Sequence, residues 1–387
     1  MWQFTSPRNI VFGEDSLEML EELEGEKALI IAGQTVKRLG IIDKVAELLA
    51  EADIEVGVID NIEPEPSIET VKAVAEIAKD FEPDWIIGLG GGSSMDAAKA
   101  IWALYERPDL DVGDISPLET LGLRKKARFM CIPTTSGSGS EATWATVITD
   151  REGKVKRELA SRELIPDIVI LEPWLTSTMP PHLTASSGMD ALTHAIEAYV
   201  SNFRNDFSDT LAIKAMQMIF EHLPRAVSDG EDMEAREKMQ NAATMAGIAF
   251  SNSFVGMAHA LGHSVGAIFG IDHGKAVAMF LPHVIRYNGE EVASRYAEIL
   301  AALEIDFEFE EDAPNILAQA LVELMMEIGL PCEICETGIH WKDYEAELEN
   351  LVERALMSSA NLAGPREAES DDYREIIVVA FGSVDKD

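Results

Sequence analysis

Aspartate and histidine recur in this chain at a spacing that suits metal binding. Asp190 and His194 lie four residues apart in a stretch with helical period, so their side chains share one face of a helix, one turn apart. His259 and His263 repeat that spacing, and His273 follows in a predicted loop. Zinc and ferrous iron both take carboxylate and neutral imidazole ligands. We therefore predict one metal site, although a lone buried histidine is usually structural and spacing does not say which of the four histidines is spare.

A glycine-rich turn lies between a predicted strand and a predicted helix. It reads Gly90-Gly91-Gly92-Ser93-Ser94. Glycines let a backbone approach a pyrophosphate closely, serines can cap the helix, and a helix N-terminus favours anions. A flexible turn with capping serines would show the same residues, and the run departs from the usual G-x-G-x-x-G pattern. We predict phosphate binding at this turn.

A second loop with many hydroxyl groups also follows a predicted strand. It spans residues 133–141 and includes Thr134, Thr135 and Ser138. In an open α/β sheet, loops at the carboxyl ends of neighbouring strands face one crevice, where ligands bind. Two such loops together predict a dinucleotide rather than a single phosphate.

The end of the first strand bears on the choice of dinucleotide. An NAD-selective site usually carries an acidic residue near the adenine ribose. The candidate position here is Gly33, and Lys37 and Arg38 follow it in an otherwise acidic chain. We predict a preference for NADP(H), with NAD(H) still possible, because the two cations would also suit a plain solvated helix.

These residues need elements that position them, and the first half of the chain predicts an α/β fold. Short apolar runs alternate with amphipathic stretches up to about residue 180, which predicts a mostly parallel sheet covered on both faces. The predicted strands are 28–32, 54–60, 85–90, 129–133 and 168–171, and the predicted helices are 42–50, 68–79 and 94–105.

After Pro180-Pro181 the chain changes to long stretches of helical period. We predict a dinucleotide-binding α/β domain over 1–180 and an all-helical metal-binding domain over 181–387. The predicted helices of the second part include 185–200, 209–222, 232–249, 292–303 and 316–328.

Charge and composition exclude several classes of protein. The 387 residues carry a formal net charge of −38, which opposes binding to nucleic acid or to an anionic membrane. No apolar run is long enough to span a bilayer, and the first residues do not resemble a signal peptide. Three cysteines do not make a disulfide framework. We expect a cytoplasmic enzyme.

Four motifs together resemble the iron-containing (group III) alcohol dehydrogenase family. They are 90–99 (GGGSSMDAAK), 133–141 (PTTSGSGSE), 188–199 (GMDALTHAIEAY) and 256–274, and the similarity runs from 9–13 (NIVFG) to 364–366 (GPR). The resemblance implies a Rossmann-like first domain, an all-helical second domain and a homodimer or larger homo-oligomer. It assigns Asp190, His194, His259 and His273 as metal ligands. It also implies that His263 helps in proton transfer or in nicotinamide placement and that Asp96, Thr134, Thr135, Thr143 and Lys156 contact the cofactor.

The resemblance implies an NAD(P)-dependent alcohol dehydrogenase that acts on small alcohols and aldehydes with Fe²⁺ or Zn²⁺. Two related enzyme classes remain open, a glycerol dehydrogenase-like polyol oxidoreductase and a dehydroquinate synthase-type lyase. The lyase would need several basic residues near its histidines, and the second half of the chain shows no such cluster. An inactive structural homologue is the non-enzymatic alternative.

Overall fold

A computed structural model describes residues 3–153 and 155–383 of the chain. The chain divides into two compact units, Met1–Thr178 and Met179–Asp387. Within the described ranges, no helix combines the length and the hydropathy that a bilayer crossing requires. The predicted functional division, dinucleotide binding in 1–180 and metal binding in 181–387, stays a prediction.

The first unit is built on a six-stranded parallel sheet with strand order β1-β8-β5-β4-β2-β3. Strands β6 and β7 form a separate antiparallel pair, which the sequence did not reveal. The strands are β1 (Asn9–Phe12), β2 (Lys27–Gly33), β3 (Glu55–Ile62), β4 (Trp85–Gly90), β5 (Arg128–Pro133), β6 (Ala145–Asp150), β7 (Val155–Ala160) and β8 (Ile168–Leu171).

Strand β2 shows why the central strands are apolar along their whole length. Leu29 and Ile31 pack into the hydrophobic cluster on one face of the sheet, whereas Ala28, Ile30 and Ala32 pack into the cluster on the other. A parallel strand buried on both faces needs a nearly continuous apolar run. The helices of this unit are α1 (Gln34–Arg38), α2 (Ile41–Glu51), α3 (Ile68–Phe81), α4 (Gly92–Glu106) and α5 (Trp174–Ser177).

The parallel register brings three strand ends to the same edge of the sheet. Ala32 of β2 pairs with Leu89 of β4, and Gly90 pairs with Pro133 of β5. The segments that follow β2, β4 and β5 therefore leave the sheet as neighbours, and these are the segments predicted to bind a dinucleotide.

The second unit is entirely helical among its described residues. Helix α6 packs against α7, α8 and α10, and it is buried along most of its length. The helices are α6 (Pro181–Val200), α7 (Asp206–Ser228), α8 (Met233–Ser251), α9 (Met257–Phe269), α10 (His273–Ala302), α11 (Ala313–Glu327), α12 (Trp341–Ala346), α13 (Leu348–Leu356) and α14 (Ser370–Ala380).

The predicted fold class, a Rossmann-like α/β part followed by an all-helical part, is confirmed. One local prediction was wrong, because His273 is the first residue of α10 and not part of a loop. Asp272 caps this helix by accepting a hydrogen bond from the backbone N–H of Lys275, a signal that N-cap preferences could have revealed. Helix α10 also starts well before the predicted 292–303, with a break in helical geometry at Val292.

Candidate metal centre and dinucleotide cradle

Three predicted histidine ligands of the second unit converge on one oxygen of the fourth predicted ligand, Asp190. Asp190 Oδ1 lies 3.8 Å from His194 Nε2, 3.5 Å from His259 Nε2 and 3.3 Å from His273 Nε2. The ligand atoms of Asp190, His259 and His273 all lie within 4.8 Å of one another, and the His194 ring stacks on the His259 ring with centroids 4.5 Å apart. The arrangement could hold a single cation.

The local sequence explains how three helices bring these side chains together. Asp190 and His194 are one turn apart on α6, as their spacing predicts. His273 reaches them because α10 begins almost in contact with α6. A Cβ atom on Gly274 would lie 2.1 Å from the carbonyl oxygen of Ser186, so only glycine permits this approach.

Burial and charge set the protonation of the cluster. Burial lowers the pKa of His194 to about 3, despite the opposing charge of Asp190. Burial would also lower the pKa of His259, but the carboxylates of Glu197 and Asp190 raise it to about 9. Burial would raise the pKa of Asp190, but the neighbouring histidines hold it well below its ordinary value. The cluster therefore contains an ionised carboxylate and a neutral His194.

The residues fit a divalent transition metal. Among the described residues, Asp190 Oδ1 and His259 Nε2 are buried, lie 3.5 Å apart and have no hydrogen-bond partner. Buried polar atoms are normally hydrogen-bonded, so such atoms beside one another point to a ligand. One carboxylate and several imidazoles are a donor set that zinc and iron accept.

His263 lies beside the four predicted ligands and is exposed. Its ring centroid is 4.9 Å from that of His273 and 6.0 Å from that of His259. The spacing of the four histidines left open which of them is not a ligand, and this geometry favours His263. His194, His259 and His273 each direct Nε2 towards Asp190, and His263 lies on the solvent side.

In the first unit, the glycine-rich turn forms an open helix N-terminus. Gly90 adopts a φ of +141° that side chains rarely tolerate. Gly91 is the N-cap of α4, and no side chain in the described part of the chain caps that helix. The prediction that Ser93 or Ser94 caps α4 was wrong, because both lie inside its first turn. Uncapped N–H groups at this end suit an anion.

The second predicted loop lies directly against this turn. The backbone N–H of Thr134 donates to the carbonyl of Gly90 at 2.9 Å. A Cβ atom on Gly91 would lie 3.4 Å from Thr135 Oγ1, and one on Gly92 would lie 3.2 Å from Ser138 Oγ. The two loops thus form a cradle of backbone and hydroxyl groups at the edge of the sheet where a dinucleotide is predicted to bind.

Asp96 and Thr143 support the second loop from within. Asp96 accepts hydrogen bonds from Ser140 Oγ at 2.6 Å and from the backbone N–H of Val147 at 2.9 Å. Lys99 is fully buried and donates to Thr143 Oγ1 at 3.0 Å and to the carbonyl of Ala145 at 2.7 Å. These contacts hold the loop in place, and Lys99 is a member of the network that the sequence analysis missed.

Two predicted cofactor-binding lysines form ion pairs near the strand ends. Lys37 Nζ lies 2.6 Å from Asp60 Oδ2, and this contact raises the pKa of the lysine. Lys156 Nζ donates to Glu65 Oε1 at 2.7 Å, and the backbone N–H of Glu65 donates to Ser93 Oγ at 3.4 Å. Gly33 lies next to the glycine-rich turn, since its Cβ position would be 3.6 Å from Ser94 Oγ.

The chain matches known families along nearly all of its length. Residues 7–173 match the iron-containing alcohol dehydrogenase family, and residues 184–381 match the C-terminal part of the Fe-containing alcohol dehydrogenase family. The chain belongs to the iron-containing alcohol dehydrogenase family. The resemblance read from the sequence is therefore confirmed.

Members of this family with curated names or solved structures resemble the chain closely. It is 42% identical to an NADPH-dependent butanol dehydrogenase of Clostridium saccharobutylicum over the full length of both chains. It is 36% identical to the aldehyde-alcohol dehydrogenase of Streptococcus pneumoniae serotype 2 (strain D39), of which it spans 45%. The crystal structure of a 1,3-propanediol oxidoreductase superposes with a TM-score of 0.93 at 32% identity, covering 98% of this chain and all of the other.

Membership in the family confirms the predicted enzyme class, an NAD(P)-dependent alcohol dehydrogenase. It also agrees with the predicted cofactors, a nicotinamide dinucleotide and a divalent metal ion. The roles of the individual site residues stay predictions. Sequence reasoning missed Glu197, which contacts His259, although its position seven residues after Asp190 places it on the same face of α6.

Proposed function

We propose that this iron-containing alcohol dehydrogenase uses NADPH to reduce small aliphatic aldehydes to primary alcohols, and catalyses the reverse oxidation, with one bound iron or zinc ion. The convergence of His194, His259 and His273 on Asp190 Oδ1 carries the proposal. Two relatives, a butanol dehydrogenase that depends on NADPH and a 1,3-propanediol oxidoreductase, support the cofactor and the substrate size.

Asp190, His194, His259 and His273 would hold the metal. When bound, such a cation supplies Lewis acidity that polarises a substrate oxygen. The charge of Asp190 offsets part of the charge of the cation. His263 lies next to His273 at the solvent-exposed side, where an imidazole can pass a proton between the substrate oxygen and water.

The cradle residues would bind the dinucleotide. The free N–H groups at the amino end of α4 would bind the pyrophosphate, with hydroxyl donors from the second loop. Gly33 carries no carboxylate that would repel a 2′-phosphate, and Lys37 offers a cation beside it. Both features favour NADP(H) over NAD(H).

A histidine substitution tests the metal centre. His273 is partly exposed, so H273A removes a ligand with little loss of packing. We expect the affinity for Zn²⁺ or Fe²⁺ to fall by more than about 100-fold, since loss of an outer-shell partner alone costs about 10–100-fold. Turnover of butanal with NADPH should fall with it, whereas NADPH binding should persist. H340A is the matched control, because His340 is exposed and lies at the start of α12. Full turnover in metal-free H273A would contradict the proposal.

A substrate panel separates this proposal from its closest alternative. The reduction of butanal and propanal would be assayed with NADPH and NADH, and the oxidation of butanol and glycerol with NADP⁺ and NAD⁺. Higher kcat/KM for glycerol oxidation than for butanol oxidation would select the polyol oxidoreductase.

We also propose that the chain forms a homodimer or a larger homo-oligomer, as its family does. Sedimentation of the purified chain would measure the oligomeric state.

A further inference from the structure

Glu197 is a buried carboxylate of α6 that the proposed chemistry has not used. Among the described residues, no lysine or arginine forms an ion pair with it, and the imidazole of His259 is the basic group in contact with it. A buried carboxylate without a cation is costly unless hydrogen bonds satisfy it. The contacts that Glu197 makes therefore have to account for its position.

Helix α6 presents Glu197 on the same face as two predicted ligands. Asp190, His194 and Glu197 are spaced four and three residues apart, which places them in successive turns. One helix thus carries two predicted ligands, Asp190 and His194, and a further carboxyl group, Glu197, that contacts the helix bearing His259.

The carboxylate of Glu197 serves as the N-terminal cap of α9. Its Oε2 accepts from the backbone N–H of Gly256 at 2.8 Å, and its Oε1 accepts from that of Ala258 at 2.7 Å. Gly256 is the N-cap residue and has no side chain with which to cap its own helix. The carboxylate therefore replaces the missing cap and complements the helix dipole.

The same carboxylate contacts the ring of His259. Oε2 lies 2.6 Å from Nδ1, and an ionised carboxylate can only accept hydrogen bonds. Nδ1 must therefore carry the proton, which leaves Nε2 as the metal-binding atom once His259 is neutral. Nε2 is the atom that lies 3.5 Å from Asp190 Oδ1.

We propose that Glu197 is the positioning residue of the metal centre, which holds His259 in the Nδ1–H tautomer and fixes the amino end of α9 to α6. The proposal rests on the proposed function, because it presumes a metal bound by His259. Outer-shell carboxylates of this kind orient a metal-binding imidazole and make it a better donor.

The isosteric variant E197Q removes the carboxylate that sets the tautomer of His259 and keeps the volume of the side chain. Three donors converge on the two oxygens of Glu197, and an amide offers one oxygen and one NH₂ group. In either orientation the NH₂ group opposes at least one donor. When it faces His259, the ring favours the Nε2–H tautomer, which cannot bind a metal through Nε2.

The test compares the metal affinity of full-length variants. Chelator-stripped wild type, E197Q and E106Q are titrated with Zn²⁺ against a chromophoric chelator. E106Q is the matched control, because Glu106 is also buried and accepts from three backbone N–H groups, those of Lys125, Lys126 and Ala127, in the first unit. We expect E197Q to bind Zn²⁺ about 10–100-fold more weakly than wild type and E106Q to bind it normally.

The outcomes separate the two proposals. If wild type fails to bind Zn²⁺, the proposed function itself is wrong. If wild type binds and E197Q binds equally well, or if E106Q loses as much affinity as E197Q, only the role of Glu197 is overturned.

A second measurement does not depend on the folding of any variant. Wild-type chain labelled with ¹⁵N-histidine and loaded with diamagnetic Zn²⁺ is studied by NMR. We expect His259 to carry a hydrogen-bonded proton on Nδ1. Metal binding through Nδ1, or a proton on Nε2, would overturn the proposal.

Discussion

The ring of Phe250 stacks on the ring of His194, with centroids 4.2 Å apart and an interplanar angle of 21°. His194 is buried, and Phe250, near the end of α8, is half-buried. An aromatic side chain therefore covers one predicted ligand of the metal centre and shields it from water. This apolar contact also agrees with small aliphatic substrates.

Replacement of Phe250 should weaken the second unit. We expect F250A to lower the free energy of unfolding by about 1–3 kcal/mol, because it removes a ring that is partly buried in the folded chain. F250L, which keeps most of the apolar volume, should lose less than half of that. Denaturant unfolding measures both variants, and equal stability of F250A and wild type would show that the stacking contributes nothing.

Gly274 permits the contact between α10 and α6, so a methyl group there should disturb the centre. In G274A the new Cβ would meet the backbone of Ser186 at 2.1 Å, and α10 must move away from α6. Since His273 is the adjacent residue, we expect metal affinity to fall by at least about tenfold.

The control for G274A is G113A. A Cβ atom on Gly113 would make an ordinary contact of 3.7 Å with Asp111. Metal titration of both variants should show a loss in G274A alone. An unchanged metal affinity in G274A would mean that α10 can shift without displacing His273.

The ion pair between Lys37 and Asp60 should tune the choice of coenzyme in both directions. We expect K37A to raise the KM for NADPH by about tenfold, which corresponds to the free energy of one charge-assisted hydrogen bond. The KM for NADH should stay unchanged. D60N should lower the KM for NADPH by up to about fivefold, because it frees the cation from an exposed pair.

Steady-state kinetics with both coenzymes measures these variants against wild type. R38A is the neighbouring control, which tests whether any loss of positive charge on α1 has the same effect. Equal changes for NADPH and NADH in K37A would show that Lys37 does not recognise the 2′-phosphate.

Acid should destabilise the α7–α8 connection through Arg225. The backbone N–H of Ala235 and the guanidinium of Arg225 lower the pKa of Asp232, and Arg225 lowers the pKa of Glu234. A carboxyl group whose pKa is lowered by folding contributes stability above its ordinary pKa, here 3.8 and 4.5, and that stability is lost as the pH falls further.

R225Q should therefore show a shallower loss of stability below these pH values than wild type. Unfolding followed at a series of acidic pH values measures the slope. R354Q is the control, because the guanidinium of Arg354 bonds to the neutral side chain of Asn350 at 3.2 Å. Identical slopes for R225Q and wild type would contradict the prediction.

Much of the architecture followed from patterns of hydrophobicity. The β4 run 85–90 and the β8 run 168–171 coincide with the predicted strands, because strands buried on both faces leave an unbroken apolar signal. The β6–β7 pair was missed, since its exposed strand β7 carries charged residues such as Lys156 and Arg157 and lacks that signal.

The sequence alone identified the candidate residues of the metal cluster and of the glycine-rich turn. Helical spacing paired the metal candidates, because a helix makes neighbours of residues four apart whatever surrounds it. Spacing could not show that His263 lies beside His273, that Asp96 accepts a hydrogen bond from Ser140, or that Glu197 contacts His259. Those relationships join separate elements. They depend on how closely α6, α9 and α10 pack, and a close approach such as that at Gly274 exists only once the chain has folded.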